Sequence, residues 1–143
     1  MTPREELEAL AQGAIDRATD RLAEDTEFAP FALAVVGPDD VVLVEAEETL
    51  PDEADAIALL VSSLREEAQR GRVRATALVT DVTLTDDDDE LVSAAIRVEL
   101  EHRDEDPLLC LAPYDLDDDA VEVDEVALQA GTARVFAPSP EPN

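Results

Sequence analysis

The chain has no tryptophan and no lysine, one cysteine, one histidine and four glycines, and aromatics make up only 3% of its 143 residues. Each shortage excludes something. A single thiol, Cys110, leaves no internal disulfide and no cysteine-based zinc site. With so few glycines there is neither a P-loop nor a dinucleotide-binding glycine pattern, so no phosphate cradle and no cofactor are expected. The lack of stacking aromatics, together with a net charge of −27, argues against direct nucleic-acid binding. No apolar run approaches the ~18 residues of a membrane span, and the N-terminus lacks a basic-then-apolar signal pattern. A cytoplasmic protein that does not enter membranes is therefore expected.

What is abundant is acid, with 37 Asp and Glu against 10 bases, every one of them Arg. From general area scaling the folded surface is about 7,000 Å². Evenly spread, the acids would lie roughly 14 Å apart, beyond the ~8 Å Debye length of physiological salt. The clusters Asp86-Asp87-Asp88-Asp89-Glu90 and Asp115 to Asp119 are denser. Neighbours there sit about 6 Å apart, costing roughly 0.7 kcal/mol per pair even in bulk water. Two explanations compete. One is adaptation to a salt-rich cytoplasm, or the composition of a high-GC genome. The other is a functional surface for a basic partner.

The chain reads in order as follows. Thr2-Pro3-Arg4-Glu5 is a capping box, and Leu7, Leu10, Ala11, Ala14, Ile15, Ala18 and Leu22 continue a helical stripe. Phe28–Val36, broken by Gly37-Pro38-Asp39-Asp40 and resumed by Val41–Glu45, is a hairpin whose first strand should begin near Phe31, after Pro30, or lie at an edge early on. Pro51 opens a second helix with the stripe Ile57, Leu60, Val61, Leu64 and Ala68, a Glu66–Arg70 pair, and Gly71 as its stop. Three strands follow: Arg72–Thr85, with a β-bulge expected near Asp81 where the apolar parity changes; Ala94–Arg103; and Leu108–Ala112, apolar on both sides. Arg103 to Pro107 reads as the turn between the last two. An acidic loop from Asp115 to Asp119, Val121–Val123, a short helix Glu125–Ala130 and a short strand Arg134–Phe136 complete a single domain, residues 1–137. Residues 138–143, with Pro138, Pro140 and Pro142, read as a disordered tail.

The order α-β-β-α-β-β-β implies an α+β two-layer sandwich, a five-stranded antiparallel sheet with both helices on one face. The other face would carry Arg97, Glu99, Glu101 and Arg103, either in water or against a partner.

Candidate chemistry is sparse. His102 and Cys110 lie on neighbouring expected strands and form a conceivable nucleophile pair, but a strand-end histidine and a small apolar core filler explain them as well. Asp81 interrupts an apolar face and is a candidate general acid, or simply a residue exposed by a bulge. Asp115-x-Asp117-x-Asp119 copies three ligand positions of an EF-hand, yet Ala120 and Val126 stand where its glycine and bidentate glutamate belong. Weak cation binding there, or at Asp86, Asp87, Asp88 and Asp89, competes with plain solvated loops.

The run ATALVTDVTL, then AIRVELEHRD, then PLLCLAPY resembles a set of uncharacterised small bacterial proteins that share the "EHRD" and "PY" strand pair. The resemblance covers roughly residues 70–136 and implies no activity. The order of elements is also similar to that of roadblock/LC7 proteins, which implies a dimeric scaffold. The expectation is thus a non-enzymatic interaction module that pairs with itself as a homodimer or with another protein. An acidic inhibitor or nucleic-acid mimic of immunity type, binding a basic partner, is the alternative. An enzyme using Asp81 or His102 and Cys110 is the third.

If the acidic clusters are solvent adaptation, a melt followed by circular dichroism should give a clearly higher midpoint in about 2 M KCl, where the Debye length is under ~3 Å, than in dilute buffer. Equal midpoints would assign the charge to a partner instead.

Overall fold

The computed structural model describes residues 2–25, 28–37, 40–45, 53–85, 91–117, 120–123 and 126–136. Helix α1 (Pro3–Asp25) starts at the capping box: the Glu5 amide donates to Thr2 Oγ1 at 3.1 Å, and the Glu6 amide closes the first turn on the Thr2 carbonyl at 3.0 Å. Its stripe, Leu7, Leu10, Ala14, Ile15, Ala18 and Leu22, is buried. Strand β1 (Phe31–Val36) begins one residue after Pro30. Gly37, at a φ of 62°, turns the chain out of β1, and β2 (Asp40–Glu45) returns antiparallel with Asp40 opposite Val36.

Helix α2 (Glu53–Gln69) carries the Glu66–Arg70 pair at 2.7 Å. Gly71, at a φ of 74°, ends it: its amide reaches the Ala68 carbonyl and the Arg72 amide reaches that of Glu67, each at 3.0 Å. This is a Schellman cap. Pro51, expected to open this helix, lies outside the described residues.

The chain then forms β3 (Val73–Thr85), β4 (Leu91–His102), β5 (Glu105–Asp117), β6 (Ala120–Val123) and β7 (Ala127–Ala130). The described strands form one antiparallel sheet of seven in the order β2-β1-β3-β4-β5-β6, with β7 also paired to β5. The architecture is α+β, but not the two-layer, five-stranded sandwich the sequence suggested.

The helices lie on opposite faces. Phe31, Leu33 and Val35 pack with α1, while Ala32 and Ala34 pack with Leu60 and Leu64 of α2. In β3, Ala75, Ala77 and Val79 face α1 and Leu78 faces α2. A strand apolar at both parities must be covered on both sides. For the same reason no bulge is needed at Asp81. The β3–β4 register runs unbroken from Ala75 to Leu84, and Val82 simply lies on the opposite face from Asp81.

Three further expectations fail at the C-terminal end. The turn between β4 and β5 is only Arg103-Asp104, so Pro107 lies inside β5, where the register with β4 slips between Leu100 and His102. A proline without a ladder donor is tolerated at such an irregularity. Residues 127–130 form a strand, not a helix. β6 pairs only with 114–117 of β5, and β7 completes the same edge along 108–111. Pairing outweighs the local helix preference of Ala-Leu-Gln-Ala. Finally, residues 134–136 are bends rather than a strand. Of the acidic stretch expected as a loop, Asp115 to Asp117 belong to β5, and Asp118 and Asp119 lie outside the described residues, as do Pro138, Pro140 and Pro142.

Gly131 follows β7 so closely that a Cβ there would stand 2.8 Å from the Leu108 carbonyl carbon and 3.1 Å from the Leu109 nitrogen. Backbone cannot swing aside as a side chain can. Gly131→Ala should therefore lower stability by about 1–3 kcal/mol in denaturant titrations, with the amides of Ala127–Ala130 exchanging faster.

Candidate functional site

At the Val73 end of β3 the register against β1 shifts: Val35 stands opposite Ala75, and Val36 opposite Val73. Arg74 is the extra residue of a β-bulge. The bulge turns Val73 to the α2 side and Arg74 to the α1 side, beside Ala75. Re-aiming one side chain is what such a bulge does.

The guanidinium of Arg74 meets Glu6 of α1, with Nε 2.8 Å and Nη2 2.6 Å from Oε2, and it also donates to the Gly37 carbonyl. The other Glu6 oxygen, Oε1, lies 3.1 Å from Nε2 of the buried His102. The Asp104 amide donates to His102 Nδ1 at 3.0 Å. With that lone pair engaged, the neutral ring carries its proton on Nε2, directed at Glu6. The Arg74 hydrogen bonds, and secondarily those of His102, hold the Glu6 carboxyl below the usual carboxylate range against an opposing effect of burial.

Glu6 and Arg74 form one end of an apolar cleft of about 220 Å³ between α1 and the β1–β2 edge. Ala9, Leu10 and Gly13 supply one wall and Leu33, Val35 and Val41 the other. On the opposite face, Glu101 is buried and receives three consecutive backbone amides. Its Oε1 accepts from Arg134 at 2.8 Å, Val135 at 2.8 Å and Phe136 at 3.1 Å. Arg134 also pairs with Glu99, Nε to Oε1, at 3.1 Å. The face expected to be solvated or to meet a partner is thus covered, over Glu99 and Glu101, by the chain's own residues 134–136.

His102 and Cys110 do not meet. His102 stands opposite Glu105 in the β4–β5 ladder, whereas Cys110 stands opposite Val98, four residues or roughly 13 Å away along the strand. Cys110 is fully buried in the α1-side core, and burial pushes its thiol pKa up, the wrong direction for a nucleophile. Asp81 is half-buried and accepts a 2.6 Å hydrogen bond from the Tyr114 hydroxyl. Among the described residues no cluster of three His, Cys, Asp or Glu stands close enough to hold a metal ion. Asp115 is exposed on β5 opposite Glu122, while Asp86, Asp87, Asp88, Asp89 and Asp119 lie outside the described residues. Of Asp117 only the backbone is placed, opposite Ala120. No helix among the described residues is long and apolar enough to cross a membrane.

The sequence reading missed Glu6, Arg74 and Gly13. One signal was present: Arg74 interrupts an otherwise buried strand next to the helix stop. Comparison of the chain with protein-family models, characterised proteins and solved structures gives no match.

Because its folded-state pKa is lowered, Glu6 stabilises the fold fully above the unfolded carboxylate value, and that contribution is lost as pH falls through the folded value. Glu6→Gln should therefore be least stable relative to the parent near neutral pH. The gap should narrow as pH drops from about 6 towards 3, followed by urea titration at each pH. A pH-independent gap would mean that shape, not charge, holds the cluster.

Proposed function

We propose that the protein is a non-enzymatic, acid-surfaced module that acts by protein–protein contact through the open edge of its sheet. The observation that carries this reading is a contrast in where groups are engaged. The chemistry-bearing side chains His102, Cys110 and Asp81 are turned inward or held by neighbours, while Val41 and Val42 of β2 stand 57% and 44% exposed. Among the described residues β2 pairs only with β1, so its outer backbone groups are open. An exposed edge strand bearing apolar side chains is a template for a partner strand unless something blunts it.

Two kinds of partner are compatible with such an edge. One is a second copy of the chain, forming a homodimer. The other is a basic protein, for which the 37 acids offer a complementary surface of the inhibitor or nucleic-acid-mimic type.

In cells where loss of the protein has a measurable phenotype, the double substitution Val41→Asp, Val42→Asp should reproduce the deletion. Asp81→Asn, His102→Gln and Cys110→Ala, each checked for folding, should not. The reverse pattern would replace this reading with an enzymatic one. A strict 15.4 kDa monomer by light scattering in high salt would remove the second copy as partner.

A further inference from the structure

Gly13 sits in the middle of α1, where glycine costs about 1 kcal/mol relative to alanine. Neither of the usual reasons for a glycine applies. Its φ is not positive, and a Cβ built on it meets nothing within 4 Å. What its missing side chain leaves is open space: Gly13 is exposed, and it lines the cleft beside β2 as well as a depression along Asp16, Arg17 and Asp20 of α1. At about 220 Å³ the cleft is smaller than the ~300 Å³ at which pockets begin to take whole small-molecule ligands, and it suits a single side chain.

The cleft and the strand edge are adjacent. Val41 belongs to both, lining the cleft from the outermost strand. A segment laid along β2 would direct every second side chain to the α1 face, next to Val41 and towards the cleft mouth.

Charge selects the occupant. In the sequence Asp39 and Asp40 precede the apolar stretch Val41–Val44, and Glu45, Glu47 and Glu48 follow it. A second copy pairing antiparallel about a twofold axis would bring a second acid-flanked β2, and a second chain of −27, against the first. Glu45 is already paired with Arg21, so a basic segment gains from Asp40 and from the net acidity of the chain.

We propose that β2 and the α1–β1–β2 cleft together dock an extended segment of a basic partner protein. The segment adds as a strand to β2, inserts one apolar side chain beside Gly13, and places Arg or Lys against Asp40 and the acidic surface of the chain. This deepens the interaction-module reading and rests on it.

The test is fluorescence anisotropy at about 0.15 M salt with a fluorescein-labelled peptide, Arg-Arg-Thr-Val-Leu-Val-Thr-Arg-Arg. The control peptide replaces the Val-Leu-Val centre by Gly-Ser-Gly. The intact chain should bind the first at least about ten-fold more tightly than the second, a difference of ~1.4 kcal/mol. Gly13→Leu fills the cleft from the helix, and Val41→Ser, a smaller change, thins its lip. Both should fold by circular dichroism and weaken the first peptide, Gly13→Leu by about ten-fold or more.

Equal binding of the two peptides, or undiminished binding by Gly13→Leu, would mean charge alone and would overturn the cleft. Failure of both peptides to bind would overturn the basic segment as occupant. A dimer in light scattering that Val41→Ser weakens would give the edge to a second copy, overturning this inference while leaving the interaction-module reading intact.

Discussion

The burial of β1 and β3 on both faces is the constraint from which the rest of the structure follows. Both strands run through the middle of the molecule with side chains of either parity out of water. Each face then needs its own cover, and the chain has two helices to give. Small residues make this feasible: Ala75 and Ala77 lie under α1, and Ala32 and Ala34 under α2. With both faces closed, polar groups on the central strands draw their partners from within the chain, Arg97 Nε of β4 excepted. Glu101 finds three amides, Asp81 finds Tyr114, and Arg74 and His102 find Glu6.

Much of the architecture was legible because it is set locally. The Thr2 cap, the Gly71 stop and the strand start after Pro30 each depend on residues within a few positions of one another. The strand pattern around Ile96, Val98 and Leu100 was legible for the same reason. The layering was misread at a specific place. FALAVV is apolar at every position, which is the mark of a strand covered twice; the sequence reading applied that logic to Leu108–Ala112 and not to Phe31–Val36. Val82 then looked like a change of parity demanding a bulge, when it was a second face declaring itself. The bulge at Arg74 has a pattern cue too weak to recognise without knowing that β1 lies beside it.

The Glu6, Arg74 and His102 cluster was beyond sequence reasoning for a different cause. Its members are 68 and 96 positions apart, and among 37 acids nothing distinguishes Glu6 until the helix is laid on the sheet. The segment 127–130 shows the opposite failure. There local preference was readable and simply outweighed by an edge of β5 that only the assembled sheet presents.

The grip of Glu101 on residues 134–136 links two parts of the chain that lie 33 to 35 positions apart. The three amides have a target only where Glu101 is held opposite Thr76 of β3, at the residue where the β4–β5 register slips. That stretch has no helix or ladder of its own, so its order is inherited from the sheet. It is a latch on the sheet, and its amides serve as a built-in reporter of whether the centre of the molecule has assembled.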